Sequence, residues 1–400
     1  MREERIDTTI ENRRVMFGSG ERDYAVDTMR CISCLLVVTV HNANAVLNRM
    51  PLDDAGMVPD LWMTAAMFKS VSAAATNLFL MISGIFFLSP ERNVTPTKLW
   101  SKNILKLAAA YVLWSIIYGL LRIYYLNPRP FSAQLLFDEC LVQEVHLWYI
   151  PMMLGIYILV PILRLVTERA EKKHYHYLIG IMAGAMTLNM AVYYFGYIEH
   201  PAGAAITTII SFTPVSMISQ FPFYCILGYY FYTYPPKLKS RIIIYVLGII
   251  GVLGSFYVSY YVFKNTGISN PNDFYQKFNI GIFLKNNALF VAVITLFSRV
   301  RFKKVARVII SKLSAATLFI YLYHFVPFLS FLKEEWLFVD GLPTVKSLVV
   351  YIAIIYVGGF LISLFFLQLI PWVRMRNAVL DLVWPNRRIW NGGRKKSKKG

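Results

Sequence analysis

Val26-Asp27-Thr28-Met29-Arg30-Cys31-Ile32-Ser33-Cys34-Leu35-Leu36-Val37-Val38-Thr39-Val40-His41 is apolar enough to be a membrane helix, yet it carries a carboxylate, a guanidinium and an imidazole. At about 100° per residue, the steps from Arg30 to His41 return to within roughly 20° of the starting direction. The two side chains therefore share one helix face, about 16 Å apart along the axis. Arg30 falls near one membrane surface and His41 deep in hydrocarbon, where an ionisable group is costly and marks a functional site by default.

Outward from this helix the chain stays apolar. Hydrophobic residues make up 57% of the 400 and charged residues only 16%. Runs of about 20 apolar residues recur, each long enough to cross a bilayer. Spans are expected at 27–47, 62–88, 104–126, 146–166, 177–196, 214–234, 242–263, 280–298, 313–332 and 347–372. The predicted fold class is all-α, a polytopic membrane helix bundle of about ten transmembrane helices. The first 26 residues are polar, so no cleavable signal is expected and the first span acts as its own anchor.

Lys and Arg set the orientation. Of the 41, the N-terminal segment, alternate loops and the tail hold 29, and the opposite loops hold 6. That bias predicts both termini in the cytoplasm and an even number of spans. The expected organisation is a cytoplasmic segment 1–26, a ten-helix membrane domain 27–372 and a basic cytoplasmic tail 373–400, with no linker or internal repeat. The net charge of +19 is thus mainly a topology signal and gives no case for nucleic acid. The Arg394-Lys395-Lys396-Ser397-Lys398-Lys399 run reads as a solvated tail, with anionic lipid, at about 1 kcal/mol per basic residue, as the alternative.

Within the spans the ionisable residues are Arg30, His41, Lys69, Lys106, Arg122, His146, Arg164, Lys285 and His324, with Asp27 at the start of span one. No carboxylate is expected at mid-membrane depth, where coupled carriers usually place one. A cavity of cations and imidazoles suits an anionic ligand instead. Lys69, Lys106, Arg122 and Arg164 lie near span ends and are expected to snorkel to the interface. For Lys285, followed by Asn286 and Asn287, the sequence leaves the role open. The outer loops carry the acids, Asp138, Glu139 and Glu144 among them, and read as ordinary solvated loops. Cys31 and Cys34 form C-x-x-C, but inside a membrane helix that spacing is weak evidence for redox chemistry.

These motifs resemble the acyltransferase-3 family of integral-membrane O-acyltransferases, marked in the first helix by an acidic residue, then an Arg and a His with ten residues between them. Asp27, Arg30 and His41 fit that pattern. So do Phe79-Leu80-Met81-Ile82-Ser83-Gly84-Ile85-Phe86, His146-Leu147-Trp148-Tyr149, Phe221-Pro222-Phe223 with Gly228, and Leu318-Phe319-Ile320-Tyr321-Leu322-Tyr323-His324, in order over residues 23–372. One departure is the start of the third helix, where members often carry paired arginines. Here it reads Lys102-Asn103-Ile104-Leu105-Lys106, which keeps the charge but loses the bidentate fork.

The resemblance implies acyl-CoA, usually acetyl-CoA, as donor and the hydroxyl of an extracytoplasmic glycan or glycolipid as acceptor, in a bacterial cytoplasmic membrane. It also implies a stand-alone form, without the esterase-like domain that some members add. Arg30, Lys102 and Lys106 would bind CoA phosphates, and the pantetheine arm would run along the helix to His41. His41 would act as general base or carry the acyl group itself. Asp27 would orient Arg30, or cap the helix. His146, Trp148, Tyr149, Tyr321 and His324 are acceptor-side candidates, and no metal is expected. The competing readings are a transporter or exporter of a polysaccharide or small polar metabolite, and a non-catalytic partner in a glycan-assembly complex.

Overall fold

The computed structural model describes residues 22–48, 50–52, 56–142, 144, 146–212, 220–272, 278–326, 338–339, 342–343 and 345–369. In chain order the helices are α1 (Tyr24–Leu47), α2 (Asp60–Ser72), α3 (Ala75–Phe87), α4 (Pro96–Leu126), α5 (Ala133–Leu141), α6 (Tyr149–Arg169), α7 (Lys172–Tyr197), α8 (Ala202–Phe212), α9 (Phe221–Thr233), α10 (Leu238–Thr266), α11 (Ile280–Phe297), α12 (Lys304–Tyr323) and α13 (Val345–Leu369). With α2 and α3 taken as one segment, nine of these helices among the described residues are long and apolar enough to cross a membrane. The protein is an all-α polytopic bundle. The sixth expected span, 214–234, is described from Phe221 as the thirteen-residue α9. Residues 213–219 lie outside the described residues, as do most of the expected N-terminal segment and the basic tail.

Asp23, with an extended backbone, caps α1 by accepting from the amides of Ala25 (2.8 Å) and Val26 (3.3 Å). The helix thus starts a turn before the expected boundary, and the alternative of Asp27 as N-cap is corrected: Asp27 sits inside the first turn. Two helices, α5 and α8, occupy connections that were expected to be plain outer loops.

By its contacts the chain divides into two compact units, one of residues 22–94 and 158–360 and one of 95–157 and 361–369. In the first, α1 packs against α2, α3, α11 and α12, and a core of Val38, Trp62, Phe263, Ile320 and Ile355 forms around them. Membrane helices associate by close packing rather than by escape from water, so small residues bring backbones together. A Cβ on Gly84 of α3 would lie 1.8 Å from the Cys225 carbonyl oxygen of α9, and one on Gly228 would lie 2.0 Å from that of Met81. Between α10 and α11, Gly251 approaches the Gly281 carbonyl in the same way, at 2.7 Å.

In the second unit α5 lies against the end of α4. Arg122, expected to snorkel, is instead largely covered there, with its side chain 12% exposed. It donates to the Glu139 carboxylate at 2.7 Å, to the Glu144 carboxylate, and to the carbonyls of Glu139 and Val142. Arg129 also pairs with Glu139. Hydrogen bonds from Arg129 and Arg122 hold Glu139 below the ordinary carboxylate range, whereas burial pushes Glu144 above it. The expectation that these two acids are merely solvated is therefore corrected. Their partner arrives from another element, which a loop's own composition does not reveal.

Candidate functional site

The register of α1 against α12 builds the site. Both run from the Lys/Arg-rich end of the bundle inward, side by side. The Cys31 and Cys34 thiols donate to the carbonyls of Ile310 (3.9 Å) and Thr317 (3.6 Å), and Tyr356 donates to the Cys31 carbonyl at 2.8 Å. Both cysteines are buried and free. Their role here is helix packing.

At the start of α1, Asp27 is 4% exposed and accepts from several donors. The Ser314 hydroxyl donates to its Oδ1 at 2.6 Å, and Arg30 lies 3.4 Å from the same oxygen. Arg30 also donates to the Ser314 oxygen at 3.1 Å, closing a triangle of carboxylate, hydroxyl and guanidinium. Arg22 pairs with the other oxygen of Asp27 and donates to the Ser311 carbonyl at 3.1 Å. The Phe86 ring carries two cations, Arg30 at 5.2 Å and Arg92 at 4.6 Å from its centroid. Cations over a ring face are attracted by its quadrupole.

One further length along the same helix pair lies His41. Its ring centroid is 5.1 Å from that of His324 and 5.9 Å from that of Phe325. His324 is fully buried, and its Nδ1 donates to the Tyr321 carbonyl at 2.6 Å. In a neutral imidazole that bond leaves Nε2 as the acceptor nitrogen. Ser314 and His324 are spaced almost as Arg30 and His41 are, so parallel helices set a cation–hydroxyl pair at one level and two imidazoles about 15 Å further in.

The structure thus joins Asp27, Arg30, His41, Tyr321 and His324 in one unit. Lys102 and Lys106 belong to the other, exposed near the start of α4, where Lys102 lies in a π-type turn. His146, Trp148 and Tyr149 belong there too. His146 is buried in the turn before α6 with its ring edge-on to Tyr118 at 5.2 Å, and Trp148 meets Tyr149 at 5.9 Å.

Three further cations depart from expectation or settle an open point. Lys69 does not snorkel. It is 1% exposed and donates to the side-chain oxygens of Asn270 and Asn272. Lys285 is buried as well, donating to the Ser70 carbonyl at 2.5 Å. Arg164 binds the carbonyls of Phe87 (3.0 Å), Ser89 (2.8 Å) and Arg92 (3.2 Å), tying off the turn after α3 rather than reaching for the interface.

Ser314, Phe86 and Arg92 are the site residues that sequence reasoning missed. Ser314 carries no signal of its own in the sequence, because its partners Arg30 and Asp27 come from the other helix. Phe86 closes a quoted motif, but aromatic residues are too common here to single it out.

A family model described as an acyltransferase domain matches residues 23–368. No curated protein and no solved structure matches the chain.

Proposed function

The chain belongs to the acyltransferase-3 family of membrane acyltransferases, and from that premise we propose that it moves an acetyl or other short acyl group from cytoplasmic acyl-CoA to a hydroxyl of an extracytoplasmic glycan or glycolipid. The observation that carries this reading is the α1–α12 pair, with the Asp27–Ser314–Arg30 triangle at one level and the His41–His324 pair deeper on it.

Arg30, oriented by Asp27 and Ser314, is 28% exposed at its side chain and offers a charge-assisted donor to a CoA phosphate. Lys102 and Lys106, in the other unit, stay proposals for donor binding. A pantetheine arm laid along α1 spans about 16 Å and brings the thioester toward His41. In one route the acceptor oxygen attacks the thioester carbonyl while His41 takes its proton, and the CoA sulfur leaves and is protonated. In the other, a His41 nitrogen attacks, CoA leaves as the thiol, and the acceptor hydroxyl then receives the acyl group from the imidazole. Both routes need a neutral imidazole. We assign His324 to positioning the His41 ring, with Tyr321 fixing the His324 tautomer through its carbonyl. His146, Trp148 and Tyr149 stay proposals for the acceptor side.

The test is purified protein in nanodiscs with radiolabelled acetyl-CoA, comparing wild type with His41→Ala, Arg30→Ala and His324→Ala at matched folding. Wild type should release CoA or transfer label. His41→Ala should lose about 10²–10⁴-fold in rate, and Arg30→Ala should act mainly on the KM for the donor. Folded wild type that turns over no acyl-CoA would overturn the proposal in favour of transport.

A further inference from the structure

A cavity of about 400 Å³ opens among α7, α9, α10 and α11 of the first unit, in a region the acyl-transfer reading does not use. Its rim lies at the Lys/Arg-rich end and carries Lys172, His176 and Lys237. Below them the lining turns apolar through Ile179, Ile244, Leu247 and Leu284. The volume is in the range of small-ligand pockets, but one side faces outward: Leu247 is 38% exposed, and Ile243 and Ile250 of the same helix are 60% and 54% exposed. In a membrane helix such residues face lipid.

The rim is organised for negative charge. Lys172 Nζ stands 5.1 Å over the Tyr234 ring, and His176 Nε2 is 2.9 Å from the Tyr230 hydroxyl. Glu171, the neighbouring acid, pairs with Lys173 at 3.0 Å. Two long helices, α7 and α10, also begin here, so their positive dipole ends converge on the rim. A lysine that merely snorkels needs no cavity beneath it.

We propose that this cavity binds an anionic phospholipid, its phosphate held by Lys172, Lys237 and His176 and the start of an acyl chain lying over Leu247 and Leu284. The site goes beyond the acyl-transfer reading and does not rest on it. Basic residues at a membrane surface each favour anionic lipid by about 5-fold.

The full chain is purified in detergent and equilibrated with phosphatidylglycerol or phosphatidylcholine, and retained lipid is counted by native mass spectrometry. Wild type should retain phosphatidylglycerol selectively. Lys172→Glu with Lys237→Glu should abolish that preference. Leu247→Trp, which leaves the rim charge intact and fills the space below, should cut occupancy with the helical circular dichroism unchanged. Retention equal to wild type in both variants would overturn the proposal. So would release of the lipid by millimolar coenzyme A or inorganic phosphate, either of which would assign the rim to a soluble phosphate.

Discussion

Arg30 is held by Asp27, Ser314 and the Phe86 ring together, so its charge is fixed in direction before any ligand arrives. Ser314 is the least conspicuous of the three and the most testable, because its hydroxyl both donates to Asp27 and accepts from Arg30. Losing one such bond costs about 1 kcal/mol. Ser314→Ala should therefore raise the KM for acyl-CoA about 5-fold, with kcat nearly unchanged, in steady-state kinetics. A fall in kcat at constant KM would instead tie Arg30 to the chemical step. At this scale the sequence was uneven as a guide. His41 and Arg30 stand out because an ionisable group in an apolar helix is improbable without a use. A serine on a helix carries no such signal, since its meaning lies entirely in what the neighbouring helix brings to it. Lys69 looked like a snorkelling residue because its distance from the helix end allowed it; the asparagines of 270–272 lie 200 residues away and fold back over it.

The helices themselves were legible from hydropathy, and their contacts from glycine only after the partners were known. Gly84 and Gly228 lie on different helices and each faces a carbonyl of the other. Gly84→Ala or Gly228→Ala must push α3 and α9 apart, with an overpacking cost of about 1–3 kcal/mol or more. Each should lower the melting temperature in detergent, whereas Gly254→Ala, which meets no atom within 4 Å, should leave it within error. The α4–α5 junction makes a pH-dependent prediction. Glu139 is held below its ordinary value near 4.5 by its guanidinium partners. Its stabilisation is full above the unfolded value and disappears as pH falls through the lowered folded value. Burial shifts Glu144 the other way, so it takes up a proton first and stabilises the fold in doing so. Glu139→Gln should accordingly flatten the loss of melting temperature on acidification below about 4.5. An unchanged acid limb would show that Arg122 and Arg129 do not distinguish the folded carboxylate from the unfolded one. The helix α5 was missed in the sequence because its acids and flanking prolines read as a wet connection, while the arginine that organises it belongs to a membrane span.

For the whole molecule, the asymmetry of Lys and Arg predicts which end faces the cytoplasm. The helix α10 offers a ruler, with Lys239 near one end and Asn265 near the other, about 39 Å apart along the axis. With Cys140, a free and partly exposed thiol, replaced by Ser, an impermeant maleimide applied to intact cells should label Asn265→Cys and spare Lys239→Cys; the reverse pattern would invert the topology. The bundle and its order were legible because the bilayer forces every span to be apolar and long. The pairing of spans was not, since in lipid any apolar face suits any other until small residues and polar partners choose. One pairing chosen in this way joins α1 to α12, so the residues facing each other were added to the chain far apart in time. At ribosomal speeds of roughly 5–20 residues per second, on the order of 15–60 s pass between insertion of His41 and arrival of His324. During that interval Asp27 and Arg30 have each other as partners, but neither has Ser314, and His41 faces no second imidazole. A nascent or truncated chain that ends before α12 thus carries half of the proposed site, and on that reading acyl transfer waits for the arrival of α12.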